Sequence, residues 1–290
     1  MQLLIFITTV FSLTLLIGFS YSISYQACRF INFSLAIIIT LAPYFTYLYF
    51  IQLHLPFYLS IFWAIISTTV IGLTLEICVY KPLRKHNASL VELTIASLGL
   101  YIVLQNIISM IWGDRALTIR TGDIVAGHEF FGAVISNTQI SKILICLTLF
   151  VAGVIFMKFF RIGRNIRSVA SNSDLSNILG ISSDISIMWA YGIGSALAGV
   201  AGILIAIDTD MRPIMGFSWL FYGVVAVIIG GIGSNIGLIF GALLLVTIQY
   251  VIAYFFGTKW MEAVTYIILI LFLLFKPLGF SGKRLKKVEI

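Results

Sequence analysis

The feature that most constrains this chain is a succession of apolar stretches, each about twenty residues long, joined by short polar connections. A helix needs about 20 mostly apolar residues to cross the hydrocarbon core of a bilayer. By that rule nine segments qualify, at residues 1–25, 30–52, 56–79, 90–112, 140–160, 186–207, 216–232, 235–256 and 261–277. The seventh is short and runs into Gly230-Gly231-Ile232-Gly233-Ser234, which predicts a broken or half helix. No stretch shows the alternating apolar/polar pattern of a barrel strand. The fold class expected is therefore all-α, a polytopic membrane protein with eight or nine transmembrane helices. Composition agrees: 60% of residues are hydrophobic and 10% charged, against about 25% charged in soluble domains. That excludes a cytosolic globular protein, a disordered chain and a secreted disulfide scaffold.

The charge distribution sets an expected orientation. Thirteen of the 18 Lys and Arg residues fall in four places: Arg29; Lys81, Arg84 and Lys85; Lys158, Arg161, Arg164 and Arg167; and Lys276, Lys283, Arg284, Lys286 and Lys287. The other connections mix Arg115, Arg120, Lys142, Arg212 and Lys259 with acids such as Asp123, Asp208 and Asp210. Cytoplasmic loops carry the excess of Lys and Arg. Nine crossings then place the N-terminus outside and the C-terminus in the cytoplasm. The net charge of +7 is read as this orientation signal, and no nucleic-acid partner is expected. Residues 1–25 contain no Lys or Arg and no A-x-A site follows, so the first segment reads as a span, not a signal peptide.

Several chemistries lack their residues. There is no G-x-x-x-x-G-K-[ST] phosphate loop and no H-E-x-x-H motif. Cys28, Cys78 and Cys146 show no C-x-x-C spacing, and His54, His86 and His128 are spread over separate connections. The spans carry few ionisable groups, which an intramembrane enzyme would need. Glu76 and Glu92, near the inner ends of segments three and four, are expected to pair with Lys81, Arg84 or Lys85 at the interface. No metal site and no catalytic residue is expected. The polar mid-span residues are Thr94, Ser97, Gln105, Asn106, Ser109 and Gln249. They must face protein or a water-filled path. Ser97, with Gln105 and Asn106 two turns later, could line one path; the competing reading is hydrogen bonding between helices.

Small residues recur four apart in segment six, at Gly194, Ala198, Gly202 and Ala206, with Ser195 and Gly199 beside them. Such a stripe lets another backbone approach closely. Gly233, Gly237 and Gly241 repeat the spacing before and into segment eight.

The longest polar connection on the basic side runs from about 158 to 184. Arg161, Arg164 and Arg167 continue one helical face. Ser173 and Asp174 suit a helix start, Gly180 suits a left-handed stop, and Leu175, Ile178 and Leu179 make one apolar side. Isolated helices shorter than about 12–15 residues are marginal, so this one needs a surface to dock on. From the residues alone, that surface is either lipid headgroups with neighbouring loops or a cytoplasmic subunit.

The stretch Arg167–Ile181, RSVASNSDLSNILGI, followed by GSALAGVAG at 194–202, resembles the signature of LivH-type permeases, the membrane subunits of branched-chain amino acid ABC importers. Tyr80-Lys81-Pro82-Leu83-Arg84, the SLGLYIVLQN run at 97–106, Gly230–Gly237 and Ile31-Asn32-Phe33 resemble further motifs of that family, so the likeness extends from about residue 29 to 278. Departures are Ser34-Leu35-Ala36 where the family has A-H-G, Ser168 and Ser176 in place of alanines, and Ala42-Pro43-Tyr44 where a glycine is usual. Two of these stretches, Ser34–Ala36 and Ala42–Tyr44, lie in the second span, which in the family borders the translocation path, and they bear on the solute more than on the fold.

The resemblance implies a single permease domain over residues 1–290, in a bacterial inner membrane, importing branched-chain amino acids. It implies a second similar permease, two cytoplasmic ABC ATPases and an external solute-binding protein as partners, besides membrane lipid. The 158–184 connection becomes a coupling loop, with Arg164, Arg167, Asp174, Leu175, Ile178, Leu179, Gly180 and Ile181 at the ATPase contact. Asn32 joins Ser97, Gln105 and Asn106 as a candidate for the path. The chain itself would bind no cofactor; ATP and Mg would belong to the ATPase subunits. The alternatives are the same architecture importing urea or short amides, an intramembrane enzyme, and an ATP-independent channel.

Overall fold

The computed structural model describes residues 1–120, 127–130, 133–276 and 279–281. Lys283, Arg284, Lys286, Lys287 and Asp123 lie outside these residues. The helices are α1 (Gln2–Cys28), α2 (Ser34–Gln52), α3 (Phe57–Lys85), α4 (Leu90–Trp112), α5 (Asn137–Phe159), α6 (Arg161–Ser171), α7 (Ser173–Ile178), α8 (Ser183–Ala206), α9 (Met215–Gly230), α10 (Asn235–Phe256) and α11 (Thr258–Phe275). Among the described residues eight are long and apolar enough to cross a membrane. The seventh predicted span is α9, an apolar helix of 16 residues. A small antiparallel hairpin, β1 (His128–Phe130) and β2 (Ala133–Ile135), interrupts the connection between α4 and α5. The sequence reading missed it, since three-residue strands carry almost no pattern.

Helix limits follow local chemistry. Ser136 and Gln139 form a reciprocal capping box, which starts α5 three residues before the apolar run. Ser89 and Glu92 do the same for α4. Glu92 thus serves its own helix start and is not the interfacial ion-pair partner expected from sequence. Helix α3 continues past its apolar stretch through a π-helical turn, Glu76–Tyr80. Pro82 lacks the N–H that an α-helix would aim at residue 78; the wider turn just before it absorbs that defect.

Long-range contacts sort the connections onto two ends. Arg29 reaches the carbonyls of Ala170 and Ser171 at 2.8 and 2.9 Å. Lys81 pairs with Asp184 at 3.1 Å, and Phe280 and Ser281 donate to the carbonyls of Ile229 and Gly230. These residues share what is called here the basic end. At the far end Gln2 bonds Val134, and Leu117 bridges to Met211. The chain therefore passes end to end nine times over the described residues, α9 included, and its first and last described residues lie at opposite ends.

Helices α1, α2 and α8 form the centre, with α3, α5, α9 and α10 packed around them. The small-residue stripe of α8 is why the centre closes. A Cβ at Gly202 would collide with the carbonyl of Ile39, and one at Gly194 would meet Ser24. Ala198 is fully buried, and Gly199 would bring a Cβ to 2.9 Å from the Thr68 hydroxyl. The stripe thus faces α1, α2 and α3 of the same chain. Gly237 packs against the carbonyl of Gly230. Gly233 differs from the sequence reading: it lies in the turn before α10 with φ +85°, and a Cβ there would find nothing nearer than 3.9 Å. Its use is the left-handed backbone that the turn needs.

Candidate coupling segment and buried polar cluster

The basic end presents a short helix on a rigid mount. The connection does not continue α5, as the arginine spacing suggested. The chain breaks at Phe160, which has extended dihedrals, and α6 starts afresh. Gly163 permits this: a Cβ there would stand 2.5 Å from the Met157 backbone. Gly163, Ile166 and Val169 bury one face of α6, leaving Arg161, Arg164 and Arg167 exposed on the other. Arg167 also holds the Lys158 carbonyl at 3.2 Å. The Arg29 guanidinium caps the C-terminal carbonyls of α6, where a cation suits both the orphan acceptors and the helix dipole.

Helix α7 follows after one residue. Its N-cap is Asn172, whose side chain accepts from Asp174 N and Leu175 N at 3.0 Å each; the sequence pattern points to Ser173, one residue too late. Asp174 sits in the first turn. Gly180 adopts φ +83°, and Ile181 N returns to the Ser176 carbonyl at 2.9 Å. Polar bonds then pin the helix from beneath. Ser183 donates its N–H and its hydroxyl to Asn177 Oδ1 at 3.0 and 2.9 Å. Buried Ser176 closes onto the Asn172 carbonyl at 2.7 Å. With polar groups consumed inward, the apolar ones face out: Leu175, Ile178 and Leu179 are 53%, 81% and 70% exposed. Among the described residues nothing covers them.

Below the mount lies a buried polar cluster. Arg84 grips Glu76 with two guanidinium bonds, and Glu76 is 1% exposed. The pair expected at the surface is thus internal, because the π-helical turn rotates Glu76 inward. Tyr80, stacked on Tyr191, reaches Asn32 Oδ1 at 3.4 Å. Asn32 is buried and accepts from Ser34 N and Oγ at 2.9 and 2.6 Å. Ser97 lies against the same turn, accepting from Phe33 N at 3.1 Å. The structure therefore brings Asn32 and Ser97 together. Gln105 is half-buried and Asn106 exposed, bonded only to its own helix at Ile102 O. Nine residues of helix turn Asn106 to the face opposite Ser97, so the four do not form one lining.

One buried charge escaped the sequence reading, and one polar residue that it placed in mid-span finds its partner here. Lys142, taken as a connection residue, is a buried part of α5 and pairs with Asp208 at 2.5 Å. Gln249 is fully buried and bonds Thr265 at 2.5 Å. A lysine three residues into an apolar run was the available signal.

The family described as branched-chain amino acid transport system, permease component, matches residues 3–273. The chain is 31% identical to the high-affinity branched-chain amino acid transport system permease protein LivH of Escherichia coli K12, over 76% of this chain and 72% of that one. It is 34% identical to BraD of Pseudomonas aeruginosa, a permease protein of the same description, over 76% and 73%. Among solved structures PsaBC from Streptococcus pneumoniae, in complex with Fab, superposes with a TM-score of 0.53 at 13% identity, covering 95% of this chain and 91% of that one. That likeness concerns the fold. With end-to-end apolar helices and a match spanning nearly the whole chain, the protein belongs to the branched-chain amino acid transport system permease family.

Proposed function

We propose that the chain is the membrane-spanning subunit of an ATP-driven importer of branched-chain amino acids in the bacterial inner membrane, and that α7 couples it to a cytoplasmic ATPase. The substrate reading rests on the names of the relatives. The coupling reading rests on one observation above all: a six-residue helix, too short to be stable alone, is clamped from below and turns three large apolar side chains outward. A dry protein surface accounts for that arrangement; the adjacent arginines then meet acids of the partner or lipid headgroups. On this reading the basic end is cytoplasmic, residues 1–290 form one permease domain, and a second permease, two ATPases and a solute-binding protein complete the importer. ATP and Mg stay on the ATPases. Asn32, just before α2, and Ser97 of α4, which meets the same turn, support a place near the path; Gln105 and Asn106 serve a face toward lipid or the second permease.

Replacing both Leu175 and Leu179 by Asp tests the coupling. Unpaired charge buried at an interface costs about 2–5 kcal/mol, at least roughly 30-fold in affinity. The expected variant inserts and folds but no longer co-purifies with the ATPase. Normal co-purification and normal transport would show that α7 rests on the membrane surface instead.

A further inference from the structure

At the basic end a cavity of about 400 Å³ opens where the last turns of α1 and α6 meet the 231–234 turn and Ser281. Arg29 and Arg167 both line it, and among the described residues no acidic side chain does. Neither arginine has an ion pair among the described residues. Each spends one guanidinium nitrogen on carbonyls: Nη2 of Arg29 on Ala170 and Ser171, Nη2 of Arg167 on Lys158. A guanidinium carries more N–H donors than these bonds use, so both keep donors for a ligand. Arg29 stands here with φ +59°, in the left-handed position where a helix ordinarily ends on glycine. The Ser234 hydroxyl accepts from Gly237 N at 3.0 Å, which leaves its own proton to donate.

A stripe of exposed apolar residues leads away from this cavity. Ile232 lines its wall, and Ile236, Phe240 and Leu243 follow along α10, all exposed. Residues three or four apart share one helix face. Phe240, Leu243 and Thr247 edge an apolar groove of about 450 Å³, which Phe280 also lines. Phe280 is the neighbour of Ser281, so one short segment separates the groove from the cavity. That segment is held in place by its bonds to the Ile229 and Gly230 carbonyls. Lys276 stands over the Phe280 ring at 5.3 Å and adds a third cation at the boundary. From Ile236 to Ile248 the helix rises about 18 Å, close to half of a hydrocarbon core about 30 Å thick.

We propose that this end binds one anionic phospholipid, its phosphate in the cavity between Arg29, Arg167 and Ser234 and an acyl chain along Phe240 and Leu243. The two halves of the site select the occupant together. Two arginines without a described acid favour an anion, through charge-assisted bonds to phosphate oxygens. They offer no partner to the ammonium of a zwitterionic headgroup. The apolar groove beside them favours an anion that carries a chain over free phosphate. Basic pockets between spanning helices at a membrane surface suit anionic headgroups for the same reason. The bound lipid bridges α1, α6 and α10, and so fastens the α6–α7 mount to the helices behind it. This inference rests neither on the solute nor on an ATPase.

The test uses the purified full chain, stripped of lipid in detergent, and native mass spectrometry. Titration with phosphatidylglycerol is expected to give one retained lipid per chain, at a concentration roughly ten-fold below that needed for phosphatidylcholine with the same acyl chains. Arg167→Gln and Leu243→Trp, both at exposed positions, should each weaken phosphatidylglycerol retention roughly ten-fold. Leu243→Trp fills the groove and leaves every charge in place, so its effect separates a built site from general attraction to a basic surface. Arg161→Gln, exposed on the same helix but outside the cavity, should retain the lipid as the wild type does. Glycerol 3-phosphate, the charged end without chains, should fail to displace it. The proposal falls if phosphatidylcholine is retained equally, or if Arg161→Gln and Arg167→Gln weaken retention alike. It falls also if Leu243→Trp retains the lipid normally, or if glycerol 3-phosphate displaces the lipid at equal concentration. The coupling test reads Leu175 and Leu179 variants and needs no lipid at this site, so either reading can fail alone.

Discussion

Arg84 and Glu76 show how a charge enters a membrane protein on condition of its partner. Glu76 is almost wholly inaccessible, and two guanidinium bonds account for its carboxylate. Removing one member of a buried pair costs about 3–5 kcal/mol, since the survivor stays buried and unpaired, whereas removing both costs far less. Arg84→Gln should therefore lower the melting temperature in detergent sharply. The double variant Glu76→Gln with Arg84→Gln should recover much of that loss; equal melting of single and double variants would show that the pair is not what holds Glu76. Both residues and their proximity were legible in the sequence at a spacing of eight. Their burial was not, because the π-helical turn at 76–80 that rotates Glu76 inward leaves no periodic mark.

At the scale of elements, α8 illustrates how glycine spacing becomes packing. In lipid, helices associate through close contact and not through exclusion of water. The consequence is graded by what each glycine meets. Gly202 faces a backbone carbonyl, which cannot move aside, whereas Gly199 faces the end of a threonine side chain. Gly202→Leu should cost at least the roughly 1–3 kcal/mol typical of overpacking and reduce the monodisperse fraction on gel filtration. Gly199→Ala should be tolerated. Comparable profiles for the two variants would contradict the close approach at Ile39. The stripe was readable from sequence; its partners α1, α2 and α3 were not, since small-residue spacing states only that something packs there. The α6–α7 mount divides in the same way. The apolar ridge and Gly180 were visible, but the break at Phe160 and the role of Arg29 in capping a helix more than 130 residues away are long-range facts.

For the whole molecule, contacts define the two ends, and the proposed assignment of compartments rests on loop charge. The basic-end reading makes a direct labelling prediction. With Cys78, the exposed native cysteine, replaced by serine, a cysteine placed at Lys259 should react with a membrane-impermeant maleimide in intact cells. One placed at Lys85 should react only after permeabilisation. The reverse pattern would invert the molecule. Helices α4 and α11 turn large apolar faces outward, the surface that lipid and a second permease would share.

By itself the sequence determined the solvent, the passages to within one, most of the polar connections and the family. Each is written in local quantities: segment length, apolar content, loop charge and short motifs. The tertiary structure alone decided which polar residues meet. Asn32 joins Ser97, Asn106 turns away, Lys142 finds Asp208 across 66 residues, and Gln249 meets Thr265 on the neighbouring helix. The physical reason is that apolar helices in lipid read nearly alike on all faces. Which face turns inward is set by close backbone contacts and a few internal polar bonds, and these join residues far apart in the chain.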